Sequence, residues 1–134
     1  MRRKPRNAAS SINTVTAMKL TYLLTSLNQL RIDHWQTKLY AEHKALGTAY
    51  EALDALFDTF VETYKGKNSD ELTPTVYTVK TNSYNGNLIA NYTTMRDSLN
   101  EYLGSCTDGS ADLENIRADI LGEFNHLLYR LQLK

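Results

Sequence analysis

The sequence predicts an all-α fold, a four-helix bundle with one long crossover between its second and third helices. Three observations carry this expectation. Four stretches repeat apolar residues at steps of three and four, the links between them run short, long, short, and no apolar run of 18 or more residues occurs. The first stretch, from about Ser11 to Gln36, sets Ala17, Leu20, Leu24, Leu27 and Leu30 on one face. After a break near Lys38 to Tyr40, the series Leu46, Tyr50, Leu53, Phe57, Phe60 and Tyr64 runs to Gly66, a residue suited to a helix C-cap. A third stripe, Leu88, Tyr92, Met95, Leu99 and Tyr102, follows the turn signal Asn85-Gly86-Asn87 and closes at Gly104. The fourth, Leu113, Ile116, Ile120, Phe124, Leu127 and Leu131, begins where Asp112 is placed to cap the first turn.

The links select the topology. Short ones make antiparallel hairpins, whereas the span from Lys65 to Tyr84 is long enough to run the length of a bundle and deliver the third helix parallel to the second. Within it Thr73-Pro74-Thr75-Val76-Tyr77-Thr78-Val79 alternates like a strand, and an extended strap or a short helical turn would both serve.

With 134 residues, 42% of them hydrophobic, the chain can bury a core without metal or disulfide staples. Residues 11–134 are expected to form the bundle and residues 1–10 a basic tail. Net charge is zero, yet Arg2, Arg3, Lys4, Arg6, Lys19 and Arg31 all precede Asp33, the first acid. The tail residues Arg2, Arg3, Lys4 and Arg6 would contact DNA phosphates weakly or remain a solvated terminus. The single cysteine, Cys106, cannot close an internal disulfide and fits a reducing, cytoplasmic setting. No membrane span, nucleotide loop, nucleophilic triad or zinc-finger spacing is present in the sequence.

Four residues form a candidate metal set. His34 lies one turn beyond Leu30 on helix one and is followed by Trp35, His43 opens helix two, and Asp58 and Glu62 sit one turn apart further along it. Imidazole and carboxylate together suit iron, zinc or manganese. His43 and Asp58 are separated by roughly 22 Å of helix, so they cannot hold one ion within a chain. Two copies packed antiparallel through helix two would bring His43 of one opposite Asp58 and Glu62 of the other, giving two equivalent sites about a two-fold axis. Helical phase puts these residues on a flank of the core stripe, where ordinary surface polar residues also occur. His126 has no partner motif and is expected to be a structural or surface histidine.

The run His34-Trp35, then His43, then Asp58 and Glu62 resembles the ferroxidase signature of the Dps mini-ferritins, which assemble dodecameric shells. The closing segment, Asp119-Ile120-Leu121 and Leu127-Leu128-Tyr129-Arg130-Leu131, is also similar to that family's last helix, and the likeness spans about Leu20 to Gln132. The Ala41-Glu42-His43-Lys44-Ala45-Leu46 motif is similar to one in small phage-encoded proteins of the same ferritin-like type. The resemblance implies a ferritin-like fold, a homodimer within a dodecameric cage, and an iron site between subunits. His34 and His43 would be its neutral nitrogen ligands, Asp58 and Glu62 its charge-neutralising ligands, and Trp35 either packing or a radical trap. It implies an iron-storage ferroxidase that oxidises Fe(II) with peroxide or dioxygen, and the alternative is a non-catalytic structural or DNA-associated viral protein of the same fold. One position departs from the family pattern: Gly47 stands where a carboxylate is usual, with Asp54 and Glu42 as nearby substitutes.

Overall fold

The computed structural model describes residues 20–68, 78–81 and 86–133, and these form four helices: α1 (Leu20–Gln36), α2 (Tyr40–Lys67), α3 (Leu88–Thr107) and α4 (Ala111–Leu131). No strand occurs among the described residues. The basic tail, the expected helical residues before Leu20, and the alternating stretch from Thr73 to Tyr77 lie outside them. No described helix is long and apolar enough to cross a membrane.

Apolar stripes at helical spacing bury the core as expected in three of the helices. α2 contributes Leu46, Leu53, Phe57, Phe60 and Tyr64, α3 contributes Leu88, Tyr92 and Leu99, and α4 contributes Leu113, Ile120, Phe124 and Leu127. The expected Tyr50, Met95, Tyr102, Ile116 and Leu131 are only partly buried, and Leu103, outside the expected stripe, is fully buried. α2 packs on α4 and on α1, α3 packs on α4, and α1 touches α3 only lightly. The order around the bundle is therefore α1, α2, α4, α3. Lys67 pairs with Asp112 at 3.4 Å, which sets the end of α2 beside the start of α4. At the opposite end Glu42, Asn87, Leu88 and Leu131 surround one pocket, so α2 and α3 both begin there.

The helix ends differ from expectation. α2 runs through Gly66 to Lys67 and stops at Asn68, whose extended backbone (φ −120°) still donates its N–H to Tyr64 O at 2.8 Å, so no left-handed glycine is needed. α3 likewise continues through Gly104 to Thr107, and the turn into α4 is made by Asp108 (φ 48°) and Gly109 (φ 74°) in left-handed conformations. Gly104 serves packing. A Cβ there would lie 2.7 Å from Arg117 Nη2. That guanidinium donates to Asn100 O and Oδ1 and to Glu114, while the buried Thr107 hydroxyl donates to Glu114 Oε2, so one polar cluster staples α3 to α4. Asp112 sits inside the first turn of α4, with Ser110 as the N-cap residue.

α1 shows the largest departure. Its inward row is Leu23, Ser26, Leu30 and Asp33, not Leu20, Leu24, Leu27 and Leu30. Leu20 and Leu24 thus lie on the α1 flank and Leu27 packs against the core only partly buried, because polar side chains share the inward positions. Asp33, 1% exposed, accepts hydrogen bonds from the Tyr92 hydroxyl and from Gln29 Nε2. Gln29 also grips the chain ahead of α3 at two points, accepting from Lys80 N and donating to Lys80 O, each at 2.7 Å.

Burial, then the Asp33 charge and hydrogen bond, push the Tyr92 phenol far above its ordinary range. A raised folded-state pKa stabilises the fold below the unfolded value and loses that contribution as pH rises. Stability should therefore fall above about pH 10, and less steeply in Tyr92→Phe. At neutral pH, Tyr92→Phe should cost about 1–3 kcal/mol in urea unfolding, since it strips a donor from a buried carboxylate. Gly122, with nothing within 4 Å of an added Cβ, gives a contrast to Gly104. Gly122→Ala should stabilise by about 0.5–1 kcal/mol, whereas Gly104→Ala should lose that gain to the displaced Arg117.

Candidate metal centre

The α1–α2 turn holds the first two candidate ligands. Three residues, Thr37 to Leu39, reverse the chain, and Leu39 offers no side chain to cap α2. Thr37 ties the turn instead, its N–H donating to Asp33 O and its hydroxyl to Glu42 Oε1. Glu42 is thereby committed to the turn.

Across this turn His34 and His43 clasp each other. Their rings stack with centroids 3.8 Å apart and planes 17° from parallel. His34 Nδ1 lies 2.8 Å from His43 O, and His43 Nδ1 lies 2.8 Å from His34 O. A carbonyl only accepts, so both Nδ1 atoms carry hydrogen, and in the neutral rings both Nε2 atoms keep a lone pair. This is the second-atom arrangement that commonly orients metal-binding histidines. Both rings are half-buried.

Gly47 is the floor of the clasp. A Cβ at this position would sit 2.8 Å from His34 Cε1 and 3.1 Å from its Nδ1, closer than real side chains pack. The position expected to lack a ligand is therefore filled by the imidazole itself.

Asp58 and Glu62 are exposed and remain apart from the histidines in the single chain, as their spacing along α2 dictates. Among the described residues of one chain no group of three or more His, Cys, Asp or Glu side chains could hold a metal ion. Asp58 and Asp54 border a shallow groove of about 200 Å³ between α1 and α2, together with Leu20, Leu24, Leu27 and Val61. Toward the histidine end of the same helix pair, the Arg31 guanidinium lies 4.0 Å from the Tyr50 ring centroid and 5.3 Å from that of Trp35. Trp35 is 63% exposed. His126 is exposed on α4, beside a groove that it lines with Ala52 and Leu56 of α2. Sequence periodicity missed Arg31, Gln29 and Asp33; the one available signal was that Asp33 lies three residues after Leu30 on the inward side.

A family model described as a family of unknown function, DUF5856, matches residues 34–131, and the chain belongs to that family. No curated protein and no solved structure matches the chain.

The Asp58 and Glu62 side chains make no hydrogen bond or ion pair among the described residues. Asp58→Ala and Glu62→Ala should each change unfolding stability by less than about 0.5 kcal/mol, measured by urea titration.

Proposed function

We propose that this DUF5856 protein is a ferritin-like, iron-binding protein whose metal site forms between two copies, and that it oxidises and stores iron in the manner of Dps mini-ferritins. The observation that carries the reading is the histidine clasp. It supplies two Nε2 donors at one end of the α2 flank, while the Asp58 and Glu62 side chains have no partner among the described residues toward the other end. A two-fold axis across α2 would superpose these halves and complete a nitrogen and oxygen ligand set suited to Fe(II).

Two further features support the pairing. The flank residues Leu20 and Leu24, with the partly buried Leu27, line the apolar floor that an interface needs. Charge along the same face is self-complementary, with Arg31 near the histidines and Asp54, Asp58 and Glu62 beyond the midpoint. The shared start of α2 and α3 at one end supports the single-crossover topology, in which those two helices run parallel.

In this reading His34 and His43 each offer one nitrogen to the iron substrate, and Asp58 and Glu62 of the other copy favour the ferric product by neutralising its charge. Two Fe(II) ions would give one electron each to hydrogen peroxide, which takes up two protons and leaves as two waters. Trp35, exposed beside His34, would be covered in the pair. A specific observation favours the competing structural, DNA-associated reading: His34 occupies the space at Gly47 where a further carboxylate would stand.

One experiment separates the two. Native mass and ferric absorbance are followed after Fe(II) and peroxide are added to the full chain, to Asp58→Ala and to Glu62→Ala. The expected outcome is an oligomer that oxidises iron, with at least a tenfold loss of rate in either variant at unchanged fold. Fe(II) should also raise the melting temperature more at higher protein concentration, because binding and pairing are linked by mass action. A monomer that binds Fe(II) with the same affinity would refute the shared site.

A further inference from the structure

The histidines do more than supply two donors. We infer that His34 and His43 form a single preorganised unit, seated only because residue 47 has no side chain, in which crossed main-chain bonds fix both rings as Nδ1–H tautomers and leave Nε2 as the metal-facing nitrogen. The metal-facing part rests on the function proposed above; the clasp itself does not.

Each element of the unit is visible in the chain. The two Nδ1 to carbonyl bonds are equal at 2.8 Å and run in opposite senses, so each residue supplies both a ring and the acceptor for the other ring. Stacking at 3.8 Å leaves little room for either ring to rotate about its side chain without striking the other. Gly47 completes the enclosure beneath His34, where a methyl group would overlap Cε1. The Thr37 to Glu42 bond holds the turn that brings residues 34 and 43 together.

The geometry also limits what the unit can bind. Imidazole lone pairs lie in the ring planes, and metal to nitrogen bonds are about 2.0–2.1 Å long. Rings stacked 3.8 Å apart in nearly parallel planes do not aim both lone pairs at one such point. While stacked, the unit therefore presents two separate nitrogen donors to divalent transition metals and is not a chelate for one ion. Each donor needs companions from beyond the clasp. Gly47 is accordingly a positioning residue, acting on metal through the orientation of His34.

The test uses the full chain labelled with ¹⁵N-histidine, without metal, near pH 8 where unperturbed imidazoles are neutral. Long-range proton–nitrogen spectra are expected to show Nδ1–H forms for His34 and His43, and for the exposed His126 the solvent mixture in which Nε2–H dominates. Added Zn(II), as the probe, should then move the Nε2 resonances of the pair and leave Nδ1 protonated. Gly47→Ala should return His34 to the solvent mixture and weaken Zn(II) binding about 10–100-fold, the usual cost of losing an orienting partner. Gly66→Ala, in the same helix with open space around it, should change neither.

A stability cycle covers the case in which Gly47→Ala folds poorly. Gly47→Ala should lower the melting temperature in the native background and raise it in a His34→Ala background, where the ring is gone and alanine is simply the better helix former. The inference is overturned if His34 and His43 show the mixture of His126, or if Gly47→Ala acts with the same sign in both backgrounds. Nδ1–H forms with Nε2 unmoved by Zn(II) overturn its metal-facing part. Loss of iron oxidation alone, with the tautomers and the Zn(II) response intact, refutes the ferroxidase reading and leaves the unit standing.

Discussion

A carboxylate with 1% exposure cannot remain in a helical core unless donors reach it, because an unpaired buried charge costs several kcal/mol. Asp33 meets that requirement with the Tyr92 hydroxyl from α3 and the Gln29 amide one turn earlier in α1. Gln29 then holds the main chain of Lys80, so one charge connects α1, α3 and the chain that leads into α3. It also sets the rotation of α1. With Asp33 inward, Leu23, Ser26 and Leu30 follow it inward, and Leu20, Leu24 and Leu27 are carried to the α1–α2 groove. His34, about 100° further round the helix, is thereby directed toward α2 and its partner ring. The placing of the clasp is thus a consequence of where the buried acid points.

The same rotation explains an economy in the surface. A helix whose inward row is partly polar has leucines left over for its flank, and a flank that mixes leucine with opposite charges at its two ends is compatible with a copy of itself. In the proposed pair, the single chain and the contact between copies would draw on largely different rows of α1. Substitutions in one row need not disturb the other.

Much of the fold was legible because helical periodicity is a direct record of burial: the stripes of α2, α3 and α4 named most of the core side chains, though not Ala45, Ala49, Leu103, Cys106 or Leu128. The stripe of α1 misled for a physical reason, since periodicity weighs only apolar side chains and the inward row contains Ser26, Gln29 and Asp33. Helix ends were misplaced wherever glycine was read as a terminator. Gly66 and Gly104 lie inside helices, and the second makes room for the Arg117 guanidinium instead of ending anything. At the candidate site, the identity of His34 and His43 was readable, but their mutual clasp was not. It depends on the tightness of a three-residue turn and on main-chain acceptors, neither of which leaves a mark in residue type. Gly47 was visible only as a missing carboxylate, although its role is to be empty.

That emptiness ties two positions together. A β-carbon at residue 47 and an imidazole seated as it is at residue 34 claim the same space, so any side chain at 47 requires the His34 ring to shift. Positions 47 and 34 are therefore coupled: a side chain at 47 and the stacked seating of the first histidine compete for one space.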